Sequence, residues 1–414
     1  AGDSAVEKRD QRGIVIGPGV PGTIGATQVF DSLHVSSTVD SGYDSLRRAI
    51  DIFNEKGGAN TIHLGAGIFE LSDILAGDLD VEGQVLTING LGAEQTIINA
   101  SGIDDRVIEI HSDATLYLTG VTLQGGTGER GGGLRNSGGA SLDFVRIVDN
   151  QGGLNGGGIA NETGGNMGIF HSTIAGNQSV SGAGIFNSGQ LYIETSTVSD
   201  NFATSRGGGV YNGGTLTILA STLSGNQVFG NANSRGGAID SYGGQVGITD
   251  STITNNVVGG PVLTDRSFGG GVSLRNSTNF IVFNTIIAGN RSSRDPDIYF
   301  GNSGFFDNRG SNLIGVADPD LWSETNDIVG TLSDPIDPLL GPLQDNGGPT
   351  LTHLPGNDSP AIDASINSNN VEQRQEFRHQ QGDPSLKRQF SLGLDIGSVE
   401  STAIFVQAPV RPDS

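Results

Sequence analysis

The sequence predicts an all-β fold, a parallel β-helix solenoid with a short capping helix near its N-terminus and an irregular C-terminal region. Three observations support this prediction: a glycine-rich composition, an internal repeat, and alternating apolar residues within each copy. Glycine contributes 67 of the 414 residues, whereas proline contributes only 14. The glycine content is more than twice the usual value of about 7%, and the chain lacks the proline and the three-residue register of collagen.

The repeat runs from Ala114 to Gly304 and is written about seven times. Each copy has an alternating apolar strand, a Ser-Thr-apolar-x-x-Asn motif, a variable loop and a Gly-Gly-Gly/Ala-apolar motif that is closely followed by another polar residue. The first set of asparagines, which we expect to stack as a structural ladder, consists of Asn150, Asn177, Asn201, Asn226, Asn256 and Asn290. The second set, after the glycine runs, consists of Asn136, Asn161, Asn187, Asn212, Asp240 and Asn276.

A repeat of this size holds two or three short strands and cannot bury its own apolar residues. Stacked copies bury the inner face of every strand, with neighbouring strands about 4.8 Å apart. Glycine suits the corners between sheets, because residues with a side chain resist a positive φ. Asparagine tolerates that conformation and can bond to its counterparts in adjacent coils. We therefore expect one elongated domain of roughly ten coils.

The flanking segments fit the two ends of such a stack. We divide the chain into residues 1–35, an N-terminal extension or the tail of a preceding module; 36–113, a cap helix and the first coils; 114–304, the regular coils; and 305–414, an irregular closing region. Leu46, Ala49, Ile50 and Phe53 form an apolar stripe with helical spacing. We expect this helix to cover the open N-terminal end, where unpaired strand edges would invite aggregation.

Several short stretches carry a family resemblance. They are Asp40-Ser41-Gly42, the segments 45–50 (SLRRAI), 311–315 (SNLIG), 345–353 (DNGGPTLTH) and 359–364 (SPAIDA), and Asp395-Ile396-Gly397. Together with the coils they resemble bacterial right-handed β-helix surface proteins with a choice-of-anchor Q region and a CSLREA-like module. The coils also resemble chlamydial polymorphic outer membrane proteins.

The resemblance covers roughly residues 36–401 and implies a right-handed coil, a surface or secreted location and a role in adhesion. No catalytic motif defines these families. The sequence departs from them at two points. Asp44 stands where the N-terminal motif has Cys. The coils have Ile174, Val198, Leu223, Ile253 and Ile287 where the outer membrane protein repeats have Phe.

Charge and composition exclude several classes of function. The net charge of −23 repels nucleic-acid phosphates and anionic membranes. No apolar stretch approaches the 18 or so residues of a transmembrane helix, and no cysteine is present for a disulfide or a thiolate metal site. We therefore expect no nucleic-acid binding, no membrane insertion and no cofactor.

Parallel β-helices also carry polysaccharide-active enzymes, so a lyase on acidic polysaccharide is the alternative function. Glycoside hydrolysis needs two carboxylates about 5–9 Å apart. The adjacent pair Asp104-Asp105 would point to opposite faces of a strand and is better explained as a solvated turn. The histidines, which are His34, His63, His111, His171, His353 and His379, lack metal-ligand spacing. His353 is expected to be structural, and no catalytic residue or metal site is predicted.

Arg130, Arg206 and Arg235 are the predicted ligand-binding residues. Each precedes the glycine run of its coil, and Arg206 and Arg235 belong to consecutive coils. Two guanidinium groups about 5 Å apart repel each other unless a carboxylate or an anionic ligand lies between them. One explanation is a strip that binds acidic polysaccharide, and the simpler one is pairing with Asp200 and Asp240.

Structural calcium is left open by three carboxylate-rich turns. These are Asp295-Pro296-Asp297, Asp318-Pro319-Asp320, and Asp334 with Asp337. Their oxygens are of the type that calcium prefers, but none matches an EF-hand loop or the calcium-binding β-roll repeat. Asp followed by Pro is also a common turn.

The expected function is that of an extracellular, non-enzymatic module of a bacterial surface or secreted protein, which contacts polysaccharide or other cell-surface material. A longer correspondence concerns the parent protein. Val6-Glu7-Lys8-Arg9 parallels Val371-Glu372-Gln373-Arg374, which leads to the hypothesis that the chain is one module of a longer tandem array. The simpler explanation is an accidental match.

Overall fold

The structure is a computed structural model that describes residues 8–9, 15–16, 31–230, 233–259, 266–276, 278–302, 304–322, 326–365, 373 and 395–398. Over this part the chain forms a parallel β-solenoid of about ten turns, which confirms the predicted fold class. Three long parallel sheets run along the solenoid, and a regular turn contributes one strand to each. The right-handed sense stays a prediction.

The strands belong to three long sheets, one short sheet and a hairpin. Sheet I contains Ser32–Val35, Gly58–Leu64, Gln84–Asn89, Thr115–Thr119, Gly139–Asp143, Asn166–Phe170, Gln190–Glu194, Thr215–Leu219, Gln245–Thr249, Asn279–Phe283 and Phe306–Asn308. Sheet II contains Gly67–Glu70, Thr96–Asn99, Thr122–Gln124, Arg146–Val148, Thr173–Ala175, Thr197–Ser199, Thr222–Ser224, Thr252–Thr254, Ile286–Ile287, Leu313–Ile314 and Ile328–Val329. Sheet III contains Leu79–Val81, Ile108–Ile110, Leu134–Asn136, Ile159–Asn161, Ile185–Asn187, Val210–Asn212, Ile239–Tyr242, Val272–Arg275 and Ile298–Phe300. Sheet IV contains Gln178–Ser181, Phe202–Arg206, Gln227–Val228 and Val257–Val258, and the hairpin pairs Lys8–Arg9 with Val15–Ile16.

The core consists of apolar columns that run through the stacked turns. In sheet I, Leu142, Ile169, Ile193, Ile218 and Ile248 are register neighbours on successive turns, and all are fully buried. Because the side chains of a strand alternate between its faces, each strand sends every second residue into this core. A single turn buries little apolar surface alone, so its stability depends on the turns above and below.

Glycine is required at the corner that leads into sheet III. The first residue of each glycine run, for example Gly131, Gly207 or Gly269, has a φ between 58 and 69°, which is the left-handed region that glycine enters without strain. The next glycine is excluded from substitution by packing. A Cβ atom on Gly208 would lie 2.5 Å from the carbonyl oxygen of Gly237 in the following turn.

The six asparagines of the first set form a continuous, buried ladder. Asn177 illustrates the pattern: its backbone N–H and its Nδ2 both donate to Oδ1 of Asn201, at 3.0 Å each, and its Nδ2 also donates to the carbonyl oxygen of Ile147, at 2.9 Å. The same donation links Asn150 to Asn177, Asn201 to Asn226, Asn226 to Asn256, and Asn256 to Asn290. Every polar atom of these amide side chains therefore has a partner inside the protein.

Asp297 occupies the last position of this ladder. Its Oδ1 accepts from the backbone N–H of Asn290 at 3.0 Å and from Asn290 Nδ2 at 2.9 Å, and the residue is 1% exposed. An ionised carboxylate only accepts hydrogen bonds, so it suits an end where no further amide is needed. Burial raises the pKa of Asp297 to about 7, although the hydrogen bonds from Asn290 and the Val316 backbone oppose the shift.

The second polar set also stacks, but two of its predicted members do not belong to it. Nδ2 of Asn136 donates to Asn161, Asn161 to Asn187, and Asn187 to Asn212, at 2.7 to 2.8 Å. The next partner of Asn212 is the hydroxyl of Ser241 at 3.1 Å, not Asp240. The strand register pairs Asp240 with Tyr211 and Ser241 with Leu274. The prediction was therefore wrong for Asp240, because a shift of one residue reverses the face of a strand, and for Asn276, because the register places Leu274 beside Ser241.

Serine hydroxyls form a third ladder at the corner between sheets I and II. The backbone N–H groups of Ser172, Ser196 and Ser221 donate to the hydroxyl of the serine in the following turn, at 3.1 to 3.2 Å. The residue before each serine has a positive φ, as in His171, Thr195 and Ala220. The recurrent Ser-Thr motif thus supplies the hydrogen-bond acceptor that this corner needs.

The α-helix Leu46–Lys56, which is the one α-helix among the described residues, covers the first turns. The Ser45 side chain caps it by accepting from the Arg48 backbone N–H at 3.2 Å. Its buried residues are Leu46, Ala49, Ile50, Ile52 and Phe53, which is the predicted stripe with Ile52 added. The helix packs against Leu79–Val81, the first strand of sheet III. In the part of the chain that the structure describes, no helix combines the length and hydropathy needed to cross a bilayer.

Aromatic side chains cover the opposite end of the stack. Phe280 and Phe306 are stacked with centroids 5.7 Å apart, and Trp322 contacts Phe306 edge-on at 5.2 Å. Trp322 follows the 3-10 helix Pro319–Leu321 and is 4% exposed. The first part of the predicted closing region, up to about residue 330, therefore extends the stack of turns and covers its C-terminal end.

The described residues from 338 onward lie along the side of the solenoid, beside sheet II, whereas we predicted that 305–414 closes the fold. We call residues 338–365, 373 and 395–398 the C-terminal segment. Thr197 Oγ1 donates to the Leu351 carbonyl at 2.7 Å, Thr222 Oγ1 donates to Gln373 Oε1 at 2.7 Å, and Ser398 N–H donates to Thr252 Oγ1 at 3.1 Å. Threonines on three successive strands of sheet II thus offer regularly spaced hydroxyls to the segment. The residues that carry the tandem-array hypothesis lie outside the described residues, apart from Lys8, Arg9 and Gln373.

The substitution Asn201→Ala should destabilise the protein by about 3 kcal/mol, because it leaves the buried backbone N–H of Asn177 without a partner and removes one hydrogen bond each from Asn177 Nδ2 and Asn226 Oδ1. The free energy of unfolding from urea titration measures the effect. Thr215→Ala, at an exposed position of sheet I, is the matched control and should cost far less. Equal losses for the two variants would contradict the structural role of the ladder.

The substitution Asp297→Asn should remove a pH dependence of stability. The folded pKa of about 7 lies above the usual value of 3.8, so the folded protein binds more protons than the unfolded chain within this window. The free energy of unfolding therefore falls as pH rises from about 4 to about 7. Between about pH 4 and pH 7, we expect the free energy of unfolding of the variant to rise relative to that of the wild type by up to about 1.4 kcal/mol per pH unit. Denaturant titrations at several pH values test this, with the exposed Asp320→Asn as control, and a pH-independent difference would contradict it.

Candidate functional site: an arginine and aromatic strip

The predicted arginines lie in one column beside sheet III. The residues that precede the glycine runs are bridged from turn to turn in the order Arg130, Asn155, Ser181, Arg206, Arg235, Phe268 and Arg294. Arg206 and Arg235 are direct neighbours, as their spacing predicts. Arg130 belongs to the same column but is separated from Arg206 by two turns that carry small polar residues.

A second column, on the outer face of sheet III, supplies aromatic rings to the first. Phe186, Tyr211, Asp240, Ser273 and Tyr299 are register neighbours in this order. The rings of Phe186 and Tyr211 are nearly parallel, with centroids 5.2 Å apart. We call Arg206, Tyr211, Arg235, Phe268, Arg294 and Tyr299 the arginine and aromatic strip.

Arg130 differs from the other two predicted residues because a carboxylate neutralises it. Its Nε and Nη2 donate to the two carboxylate oxygens of Glu162, at 2.7 and 2.6 Å. Its guanidinium also lies over the Phe186 ring at 5.1 Å. Glu162 receives a further bond from Arg135 at 3.3 Å, and Arg135 contacts Glu109 at 2.9 Å. Arg130 is therefore part of an ion-pair network next to the strip.

Arg206 and Arg235 contact rings instead of carboxylates. Arg206 lies 5.9 Å from the centroid of Tyr211, and Arg235 lies 4.4 Å from Phe268 and 5.3 Å from Tyr299. Arg294 approaches the Phe268 ring at 5.8 Å. Among the described residues, no carboxylate lies within ion-pair distance of these three guanidinium groups. Stacking on aromatic faces partly offsets the cost of holding them together.

One nitrogen of the strip is buried without a partner. Nη1 of Arg235 is inaccessible to solvent and makes no hydrogen bond to the described residues. A buried donor left unpaired costs about 1–3 kcal/mol, and more when it carries charge. Burial of this nitrogen leaves the rest of the half-buried guanidinium as the part of Arg235 that a ligand can reach.

The expected pairing of the arginines with Asp200 and Asp240 does not occur. Asp240 is fully buried and accepts from Arg275 at 2.6 and 3.2 Å. Asp200 lies at the corner before Asn201, with a φ of 54°. The corner geometry turns Asp200 toward sheet II, whereas the strip borders sheet III. The charge of the strip is thus not neutralised in the predicted way.

Sequence reasoning missed the aromatic half of the strip. Phe186 and Tyr211 occupy the middle of the recurring Ile-Phe-Asn and Val-Tyr-Asn triplets, and their alternation with buried neighbours would have placed them on the outer face of sheet III. Phe268 stands at the repeat position of the arginines, directly before the glycine run at Gly269, whereas Tyr299 lies outside the recurring triplets. Burial, helped by the Asp240 carboxylate and opposed by Arg206 and Arg275, raises the pKa of Tyr211.

The other predicted chemical groups are accounted for by local structure. Asp104 accepts from the Thr127 hydroxyl at 3.3 Å, and Asp105 accepts from the Arg106 N–H at 2.8 Å. His353 is buried between the Ser224 hydroxyl at 2.8 Å and the Gly341 carbonyl at 2.6 Å, and burial lowers its pKa. This histidine connects the C-terminal segment to sheet II.

The three carboxylate-rich turns that were considered for calcium form hydrogen bonds within the chain. Asp318 accepts from the Asp320 N–H at 3.1 Å, and Asp337 accepts from the Leu339 N–H at 2.9 Å. Asp334 closes a turn through its own N–H, which donates to the Thr331 hydroxyl at 3.1 Å. These bonds are typical of Asp-containing turns. Structural calcium stays a prediction.

A separate acidic cluster lies at the N-terminal end of sheet III. Asp80, Glu82 and His111 bring ligand atoms within 4.8 Å of one another, and Asp78, Asp80 and Glu109 do the same. Arg106 bonds to Asp78 and Glu109 within this cluster, and burial raises the pKa of Asp78 to about 6. Sequence spacing did not predict this cluster, because its members come from successive turns.

Comparison of the chain with protein-family models, with curated proteins and with solved structures finds no match. The function therefore has to be argued from the geometry of the strip.

Proposed function

We propose that the protein is an extracellular, non-enzymatic β-helix module of a bacterial surface or secreted protein, and that it binds acidic polysaccharide through the arginine and aromatic strip. The observation that carries this proposal is the neighbouring pair Arg206 and Arg235, which contacts aromatic rings and no described carboxylate. The surface or secreted location follows from the family resemblance described above.

Electrostatics favour an anionic ligand at this place. Two guanidinium groups on adjacent strands repel each other by about 1–3 kcal/mol, depending on the local dielectric. The whole chain carries −23 charges, so a carboxylated polymer is repelled from most of the surface and attracted only where arginine dominates. A carboxylate between Arg206 and Arg235 would relieve their repulsion and accept hydrogen bonds from the accessible guanidinium nitrogens.

The shape of the strip favours a polymer. The arginine column follows the solenoid axis, with one position per turn and about 4.8 Å between turns. Tyr211, Phe268 and Tyr299 place ring surfaces beside the charges, and such surfaces pack against the C–H faces of sugars. A polysaccharide chain lying along the axis would meet both kinds of contact repeatedly.

The double substitution Arg206→Ala/Arg235→Ala should abolish retention on immobilised pectate or alginate, because it removes the unpaired charges. Affinity chromatography over a salt gradient measures this, and wild-type retention should weaken with salt. Arg309→Ala is the control, because Arg309 is exposed and pairs with Asp307 away from the strip. Unchanged retention of the double variant, or no retention of the wild type, would contradict the proposal.

A lyase that acts on acidic polysaccharide is the second candidate. Arg206, Tyr211, Asp240 and Arg275 adjoin one another, a combination that can neutralise a uronate carboxylate and donate a proton. The raised pKa of Tyr211 keeps its phenol protonated. The phenol is therefore suited to donate a proton and poorly suited to remove one, which favours binding over elimination.

Incubation with polygalacturonate and alginate should produce no ultraviolet-absorbing unsaturated sugar. Elimination would create a conjugated double bond in the product, whereas binding leaves the polymer intact. A rise in absorbance that disappears in Tyr211→Phe would replace the binding proposal with the lyase.

A further inference from the structure

A cleft of about 490 Å³ lies between the solenoid and the C-terminal segment. Phe144, Arg146 and His171 line it from the corner between sheets I and II, and Asp345 and Pro349 line it from the C-terminal segment. Its volume is within the range of small-molecule sites, about 300–1,000 Å³. The cleft borders sheet II and is separate from the strip beside sheet III.

The cleft lies where the hydrogen bonds between the described C-terminal segment and sheet II stop. They engage Thr197, Thr222 and Thr252, whereas Thr173, the preceding member of this column, lines the cleft. The segment therefore forms one wall of the cleft, and the strand around Thr173 forms the other.

The aromatic wall of the cleft stands on a strained backbone. Phe144 and His171 have φ values of 52 and 47°, at a corner that holds Gly120 in the preceding turn and Ala220 or Asn284 in later ones. A bulky residue in this region is uncommon and costs about 1–3 kcal/mol. Every turn from Gly120 to Asn284 has a positive φ at this corner, so the fold accounts for the backbone conformation but does not require a bulky side chain at these two positions.

Phe144 presents a free ring face to the cleft. Its ring is stacked on His171, with centroids 4.8 Å apart and an interplanar angle of 17°. On the opposite side the register places Gly120, which has no side chain. Gly92 and Ala93 continue this lining of small residues. Together they leave a slot beside the Phe144 ring that suits a second ring.

The rim of the slot offers hydrogen-bond donors and acceptors of both charges. Arg146 bonds to Glu94, which is 81% exposed. Asp345 faces them from the C-terminal segment, where its Oδ1 accepts from the Gly347 N–H at 2.9 Å. Because Glu94 and Arg146 neutralise each other, the Asp345 carboxylate is the remaining charge of the rim, so the slot disfavours anions and suits an uncharged ligand that donates hydroxyl hydrogen bonds.

We propose that this cleft binds a neutral pyranose sugar, which stacks its C–H face on Phe144 and bonds through its hydroxyls to Glu94, Arg146 and Asp345. A pyranose has an apolar face and a rim of hydroxyls, so it matches the aromatic slot and its polar rim at the same time. This site is independent of the anionic polymer that the strip is proposed to bind.

The decisive variant is Phe144→Gly. Glycine adopts the positive φ without strain, so the variant should be as stable as the wild type or more stable. Loss of the ring should weaken the binding of neutral pyranosides by about tenfold or more. Calorimetric or saturation-transfer titrations with the methyl glycosides of glucose, galactose, mannose and N-acetylglucosamine measure the affinity, and denaturant titration measures the stability. Tyr117→Ala, an exposed aromatic of sheet I, should leave the affinity unchanged.

Two further variants extend the test. Phe144→Asn also tolerates a positive φ and should lose binding while it folds, and Arg146→Ala should weaken binding with the ring in place. The proposal is overturned if no pyranoside binds saturably, if Phe144→Gly keeps its affinity, or if adenosine binds more tightly than every sugar. Failure of both the glycine and the asparagine variants to fold would also overturn it, because the ring would then be needed for folding.

Discussion

The structure depends on one constraint: the corners of each turn bury polar backbone groups whose only partners belong to neighbouring turns. A positive φ at a corner directs the following N–H along the solenoid axis, where an asparagine or serine side chain of the next turn accepts from it. Asparagine meets this need best, because it accepts from one side and donates to the other. The apolar columns supply most of the driving force, and the ladders fix the register in which those columns stack.

This constraint explains how much of the fold the sequence could predict. The spacing of asparagines and glycines reports which residues lie above one another, and therefore it identified the solenoid and placed Arg206 beside Arg235. It does not report which face of a strand a residue takes when the local pattern shifts by one, as it does at Asp240 and Ser241. The C-terminal segment has no period at all. Its path could not be predicted, because it depends on hydrogen bonds to the hydroxyls of Thr197 and Thr222. In the sequence these threonines are already explained as part of the strands of sheet II.

The candidate sites were predictable to different degrees. The arginines of the strip share a repeat position with Phe268, whereas Tyr211 and Tyr299 come from the second column, on the outer face of sheet III. The cleft depends on contact between residues about 200 positions apart in the chain, which no local pattern contains. The two surfaces also differ in geometry. The strip is open along the axis and suits a polymer, whereas the cleft is closed by the C-terminal segment and suits a single ring.

The hydrogen bonds of the asparagine ladder all run in one direction, from each turn to the following one. This direction determines where whole turns can be added to the protein. Each inner rung presents an acceptor to the turn before it and donors to the turn after it, so any inner turn has the same two interfaces. A gene duplication that copied one whole turn between Asn150 and Asn290 would keep every amide satisfied. Asp297 takes the last position of the ladder and has no amide to pass on, so the asparagine ladder can lengthen from within but ends at that residue, although all three long sheets continue beyond it.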